Sequence, residues 1–201
     1  MKRVLSSGFA AIFCLVVVAC GGGEASNSDD TAAAAPAAAP AAAPAAAEPS
    51  GGTLSMPDWM HVDADAKTAT IDIVAGETDA NNHWNFNGHA NGDATIVVPE
   101  GYAVTINFSN NDPATPHSLV LIAAGGTMPA MFDDATPAIA GAATSNPTSM
   151  TDATTTGSSE TINFTAIAGD YDLVCMIPAH AYTGMWIGFE VSASGEAGVR
   201  M

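Results

Sequence analysis

Tyr102-Ala-Val-Thr-Ile-Asn-Phe108 sets Tyr102, Val104, Ile106 and Phe108 in alternation with Ala103, Thr105 and Asn107. A period of two turns the apolar set to one face, as in a half-buried strand. Similar segments follow at short intervals on either side. Upstream they are Thr70–Val74, ended by Gly76; Trp84–Phe86, running into Asn87-Gly88; and Ala94–Val98, stopped by Pro99. Downstream they are Ser118–Ile122, Thr161–Ala166, Tyr171–Cys175 and Met185–Val191. Ser118–Ile122 is almost continuously apolar, which predicts a strand covered on both faces. No stretch carries a long helical period, and a short helix is expected at most near Pro129 to Asp133. About eight short strands with turns between them predict an all-β, antiparallel sandwich or barrel. Residues 123–159, rich in Gly, Ala, Thr, Ser and Pro, predict a long irregular loop inserted into it.

The strands occupy only the later part of the 201 residues. Lys2 and Arg3, an apolar run from Val4 to Val18, and Ala19 before Cys20 read as an export signal. The run is short for a bilayer span. The small residue followed by cysteine resembles the bacterial lipobox, so residues 1–19 are expected to be removed and Cys20 lipidated. Residues 20–52 then form a linker, in which a proline every fourth residue (Pro36, Pro40, Pro44) opposes the helical preference of alanine. It can reach roughly 100 Å at about 3.1 Å per residue. The folded domain is expected over residues 53–201. The location implied is the cell membrane or outer membrane, facing the periplasm or the exterior. Gly21, rather than aspartate, after Cys20 favours the outer membrane.

Without residues 1–19 the chain has two basic residues, Lys67 and Arg200, against 21 acidic ones, a net charge of −19 with histidines neutral. Such a surface repels nucleic acid and anionic lipid, so contact with membrane is expected through the anchor only. It suits a basic protein partner. Cys175 is the only cysteine of the folded part, in a compartment where disulfides form. It must pair between chains, lie buried and inert, or bind something.

Binding is favoured by its neighbours. Cys175-Met-Ile-Pro-Ala-His180-Ala-Tyr-Thr-Gly-Met185 has the spacing C-x4-H-x4-M and falls between two predicted strands. A tight loop there brings thiolate, imidazole and thioether toward one point. His117 stands where the irregular segment Asn110–Pro116 enters an apolar strand. Two histidines and a cysteine with a weak axial methionine form the donor set of blue copper. Zinc sites favour four strong ligands, which Met185 is not. His117, Cys175, His180 and Met185 are therefore the candidate ligands of one copper ion, without a separate organic cofactor. Single histidines or buried cysteines are ordinary; the joint spacing is not. His61, His83 and His89 lie outside the pattern. Asp63-Ala-Asp65 reads as a solvated turn. Met128, Met131 and Met150, in the long loop, read as gap fillers or apolar cover rather than cuprous ligands.

The segment Asn110-Asn-Asp-Pro-Ala-Thr-Pro-His117-Ser-Leu-Val resembles the first-ligand segment of cupredoxins such as plastocyanin. The C-x4-H-x4-M loop resembles that of rusticyanin, auracyanin and sulfocyanin. The sulfocyanins are the nearest likeness, through Trp84-Asn-Phe-Asn-Gly88, Ile139-Ala-Gly-Ala-Ala-Thr-Ser-Asn-Pro147 and Cys175–Trp186. The resemblance implies a Greek-key β-sandwich, one type 1 copper on those four residues, and respiratory electron transfer with a redox partner such as a c-type cytochrome or a terminal oxidase. Ser118 departs from the asparagine that plastocyanins carry. The hydrogen bonding expected around the thiolate is then poorer, which would raise the reduction potential. His180 is expected at the exposed edge of the site, ringed by Pro178, Ala179, Ala181 and Gly184.

The expected role is a monomeric electron carrier rather than an enzyme. Copper enzymes need a second cluster with paired histidines, and only five histidines exist, none as His-x-His. A binuclear site would need a second cysteine where Ala179 stands. The competing role is copper storage or chaperoning through the methionine-containing loop.

Overall fold

The alternation around Tyr102 is realised as a strand, Ala103–Asn110, with Val104, Ile106 and Phe108 buried and Ala103 and Asn107 exposed. The structure is a computed structural model describing residues 52–201, so the export signal, Cys20 and all of the linker before Gly52 lie outside the described residues. In chain order the strands are β1 (Met60–Asp63), β2 (Thr68–Ala75), β3 (Thr95–Pro99), β4 (Ala103–Asn110), β5 (Val120–Ala123), β6 (Ser159–Thr165), β7 (Gly169–Val174), β8 (Trp186–Ser192) and β9 (Gly198–Arg200). One sheet has the order β1-β2-β4-β6 and the other β5-β7-β8-β3-β9. Ile71, Ile73, Ile106, Phe108 and Ile162 of the first share one buried core with Ile96, Leu121, Leu173, Ile187 and Phe189 of the second. The all-β sandwich is as expected. Among the described residues no helix is long and apolar enough to cross a membrane.

Three expectations need correction. The sheets are not purely antiparallel: β2 runs parallel to β4 and β3 to β8. The chain leaves the first sheet after β2, runs β3 in the second, and returns beside β2 in the same direction. Trp84–Phe86 is not a strand. A short 3-10 turn, Ala80–His83, precedes it, and only Phe86 bridges to Ala75 and His89. Asn81, Asn82 and His83 take the left-handed conformation, which asparagine tolerates better than most residues. No helix forms at 129–133. The short strands β1 and β9 were not foreseen.

Between β5 and β6, residues 124–158 hold no strand, but their backbone is employed. β5 lies at the edge of its sheet and pairs with β7 on one side only. Along its other side Leu121 N–H donates to Ala142 O at 3.0 Å and Ala138 N–H to Leu121 O at 2.8 Å. Just before β5, Thr144 N–H reaches Leu119 O at 2.9 Å, Leu119 N–H the Thr144 hydroxyl at 3.1 Å, and His117 N–H Thr154 O at 3.0 Å. The insertion thus closes an edge that would otherwise present free donors and acceptors. Met128 packs with Val120, Val174, Met176 and Ala181 on the outer face, so Leu119, Val120 and Leu121 are all fully buried. Met131 and Met150 are exposed, so the three methionines do not share one environment.

Asp172 of β7 is buried, and burial raises its pKa to about 6, helped by Asp170 and opposed by a hydrogen bond from the Gly125 backbone. A pKa raised on folding means stability that is complete below the unfolded value and lost as pH rises through about 6. Asp172→Asn should therefore be more stable than the parent by about 1–2 kcal/mol at pH 8, with the gain absent at pH 3. Urea unfolding at the two pH values checks this; an equal difference at both would refute it.

Candidate metal centre

The register of three strands sets the positions of the ligand candidates. β5 pairs with β7 through Val120 opposite Val174, and β7 with β8 through Val174 opposite Trp186. His117 lies just ahead of β5, Cys175 follows β7 directly, and Met185 directly precedes β8. They therefore meet at one end of the second sheet. The ladder continues one step beyond the strands, where Cys175 N–H donates to Met185 O at 3.1 Å. Between these residues the chain folds on itself: His180 N–H bonds Ile177 O at 3.0 Å, Gly184 N–H bonds Ala181 O at 2.9 Å, and Met185 N–H bonds His180 O at 2.9 Å. Gly184 sits at φ +106°, and a Cβ there would overlap the side chain of Asn91. Ala179 takes a left-handed conformation, φ 71°, although it carries a Cβ. It is held there by its N–H to Ala130 O at 2.7 Å, a tie from the long insertion.

The donors converge. Cys175 Sγ lies 3.7 Å from His117 Nδ1 and 3.5 Å from His180 Nδ1, and the two Nδ1 atoms are 3.1 Å apart. Cys175 and His117 are fully buried, and His180 is 3% exposed. Met185 is also fully buried, tied to both Cys175 and His180 through its backbone. Among the described residues His117, Cys175 and His180 form the one group of three metal-binding side chains that closes within 4.8 Å. His61, His83 and His89 stand outside it. Asp63 instead accepts from the backbone of Asp65 and Ala66, making the expected turn.

Electrostatics argue that the cluster suits a cation. Burial pushes the Cys175 thiol up to about 11, against hydrogen bonds from Ser118 and Ile177. Burial lowers His180 to about 4, with a further push from His117. Burial also lowers His117, although Asp112 opposes it. Both imidazoles are thus neutral at pH 7. The His117 Nε2 lies 2.9 Å from an Asp112 carboxylate oxygen, so the proton sits on Nε2 and Nδ1 offers a lone pair. Two nitrogen donors and a sulfur around one buried point are a fit for a borderline-soft metal.

The thiolate is better supplied with donors than the sequence suggested. Ser118 N–H points at Cys175 Sγ at 3.4 Å and the Ser118 hydroxyl at 3.7 Å. The same hydroxyl accepts from Met176 N–H at 2.9 Å, so it ties the two ligand loops together. The expected shortage of donors at sulfur is therefore not found, and the effect expected of it is reversed: hydrogen bonds that draw charge from the thiolate weaken its support of the cupric state and raise the potential. Two further residues were not recognised. Asp112 sits in the irregular approach to His117. Trp84 lay in a segment read as a strand, but its ring stacks on His180, with centroids 3.9 Å apart and planes 20° apart. His180 is consequently not the exposed edge of the site; Trp84, itself half-buried, covers it.

Trp84→Ala should uncover His180. Mapping of diethyl pyrocarbonate modification by mass spectrometry should then find at least a several-fold faster reaction at His180, while Trp84→Phe keeps the slow rate. Equal rates in all three proteins would show that Trp84 is not the cover.

Residues 57–198 match the model of the sulfocyanin (SoxE) domain. Sulfocyanin of Sulfolobus acidocaldarius is 35% identical over 124 residues, which cover 60% of this chain and 61% of the relative. The match thus spans less than two thirds of the curated relative's length. Among solved structures, dithionite-reduced auracyanin of Roseiflexus castenholzii is 28% identical, with 61% of this chain and 96% of that one covered and a TM-score of 0.42. Rusticyanin of Thiobacillus ferrooxidans is 21% identical, with 67% and 87% covered and a TM-score of 0.43. The domain match, which takes in both ligand loops, decides the family: the chain belongs to the sulfocyanins, within the cupredoxins, whose members bind type 1 copper.

Proposed function

We propose that this protein carries single electrons on one copper ion held by His117, Cys175, His180 and Met185, and that it is not an enzyme. The observation that supports this is the convergence of two imidazole Nδ1 atoms and one thiol on a single buried point. Bound copper supplies a one-electron couple between its cupric and cuprous states. The chain's part is to hold its donors still. Cys175 and Met185 are joined across the β7–β8 ladder, and Ser118 bridges the His117 loop to Met176. Side chains fixed in this way move little when the charge on the site changes, so reorganisation on electron transfer is small. Burial excludes water and with it additional oxygen ligands.

The wider setting is part of the same proposal. Lys2 and Arg3, the apolar run and Ala19-Cys20 support export and a lipid anchor at Cys20, with residues 20–52 as tether. The acidic surface supports a basic redox partner, such as a c-type cytochrome or a terminal oxidase domain, in a respiratory chain outside the cytoplasm, with the carrier acting as a monomer.

Copper-loaded, oxidised protein should be intensely blue from thiolate-to-copper charge transfer. Cys175→Ser should abolish the colour and the reversible one-electron wave in voltammetry. A colourless wild type, or cuprous binding that survives Cys175→Ser unchanged, would favour a storage role instead. Cys20→Ala should move the expressed protein from the detergent-rich to the aqueous phase of a Triton X-114 extract; no change would remove the anchor.

A further inference from the structure

Asp112 has no place among the copper ligands, yet the approach to His117 is built around it. Its carboxylate is buried, and one oxygen lies 2.9 Å from His117 Nε2. That oxygen also accepts the Thr115 hydroxyl at 2.6 Å, and the other accepts the N–H groups of Ala114 at 2.8 Å and Thr115 at 3.1 Å. The Asp112 N–H donates to the Asn110 side chain at 2.9 Å, and its carbonyl accepts from the Thr156 hydroxyl at 2.7 Å. Asn110 is in turn bound to Thr115 O and Thr154 O. The side chain is thus fixed at every polar atom, and its one contact with the ligand cluster is the ring nitrogen that faces away from the thiol.

We propose that Asp112 is a positioning residue of the copper site, orienting His117 through Nε2 and placing a buried negative charge that favours the cupric state. The inference rests on the copper site proposed above. A carboxylate behind a ligating imidazole holds the ring's orientation and tautomer and makes its other nitrogen a stronger donor. The hydrogen-bond donors to this carboxylate are all neutral groups: two backbone amides, a hydroxyl and an imidazole. No neighbouring cation among them offsets its charge. Attraction to the site therefore scales with the metal's charge and is greater for the cupric than for the cuprous ion. Asp112 accordingly lowers the reduction potential, in the opposite direction to the Ser118 donors at sulfur, which draw charge from the thiolate.

The test compares wild-type protein with Asp112→Asn and Asp112→Ala at one fixed pH. Cupric and cuprous affinities are measured by competition with chelators, and the potential by voltammetry. Both variants should lose about 10–100-fold in cupric affinity. Cuprous affinity should fall less, and each tenfold of difference raises the potential by about 59 mV. A role confined to holding the loop would weaken both oxidation states equally and leave the potential unmoved, which would overturn the proposal. So would nitrogen-15 NMR of the metal-free wild type showing the His117 proton on Nδ1. A wild type that binds no copper would overturn the underlying site as well, whereas a copper-binding wild type with unshifted variants overturns the Asp112 role alone.

Discussion

Everything at the metal centre depends on a packing constraint: two neutral imidazoles and a thiol are held with their lone pairs facing one another in a dry pocket. The Nδ1 atoms lie 3.1 Å apart, each within 3.7 Å of the sulfur. Such a cluster is unfavourable without a positive charge at its centre, because desolvated donors gain nothing from each other. The sandwich supplies the force that maintains it. Strands β5, β7 and β8 are hydrogen-bonded in fixed register, and their inward side chains belong to the common core. Slipping any one of them by a residue would reverse its faces and scatter the ligands. Fold stability and ligand geometry are therefore the same property here.

The long insertion joins in that arrangement. Its backbone completes the outer edge of β5, and its Ala130 carbonyl holds Ala179 in a left-handed conformation beside His180. Conformations of this kind cost roughly 1 kcal/mol or more and persist only where surrounding structure enforces them. The segment that looked least organised in composition thus stabilises one side of the site. Asp112 and Trp84 hold the two histidines from outside by different means, one by a charge-assisted hydrogen bond and the other by ring stacking.

The strands that form the core were legible because they obey period two: Val104, Ile106 and Phe108 are inside as their spacing requires. The ligand loop was legible because chemistry restricts the residue types at 175, 180 and 185. Sequence conveyed less where backbone groups do the work. β1 and β9 have four and three residues, too few to show a period. Trp84–Phe86 has strand-like composition, but Asn85 is buried and uses its side chain to bind Thr78 O and Ala80 O, so the segment closes as a loop. The parallel pairs depend on which sheet each strand joins, which local pattern does not encode. Asp112 was hidden because an Asn-Asp-Pro run reads as a turn, and only the three-dimensional path shows its carboxylate reaching His117. Ser118 was judged by the side chain it lacks, whereas its own hydroxyl spans the gap.

X-ray absorption at the copper edge of the oxidised, copper-loaded protein reads out the donor set itself. One short sulfur neighbour and two imidazole nitrogens on a single copper are expected, with the sulfur lost in Cys175→Ser and one imidazole lost in His117→Ala. A copper shell made only of nitrogen and oxygen, or one unchanged when His117 is removed, would contradict that donor set.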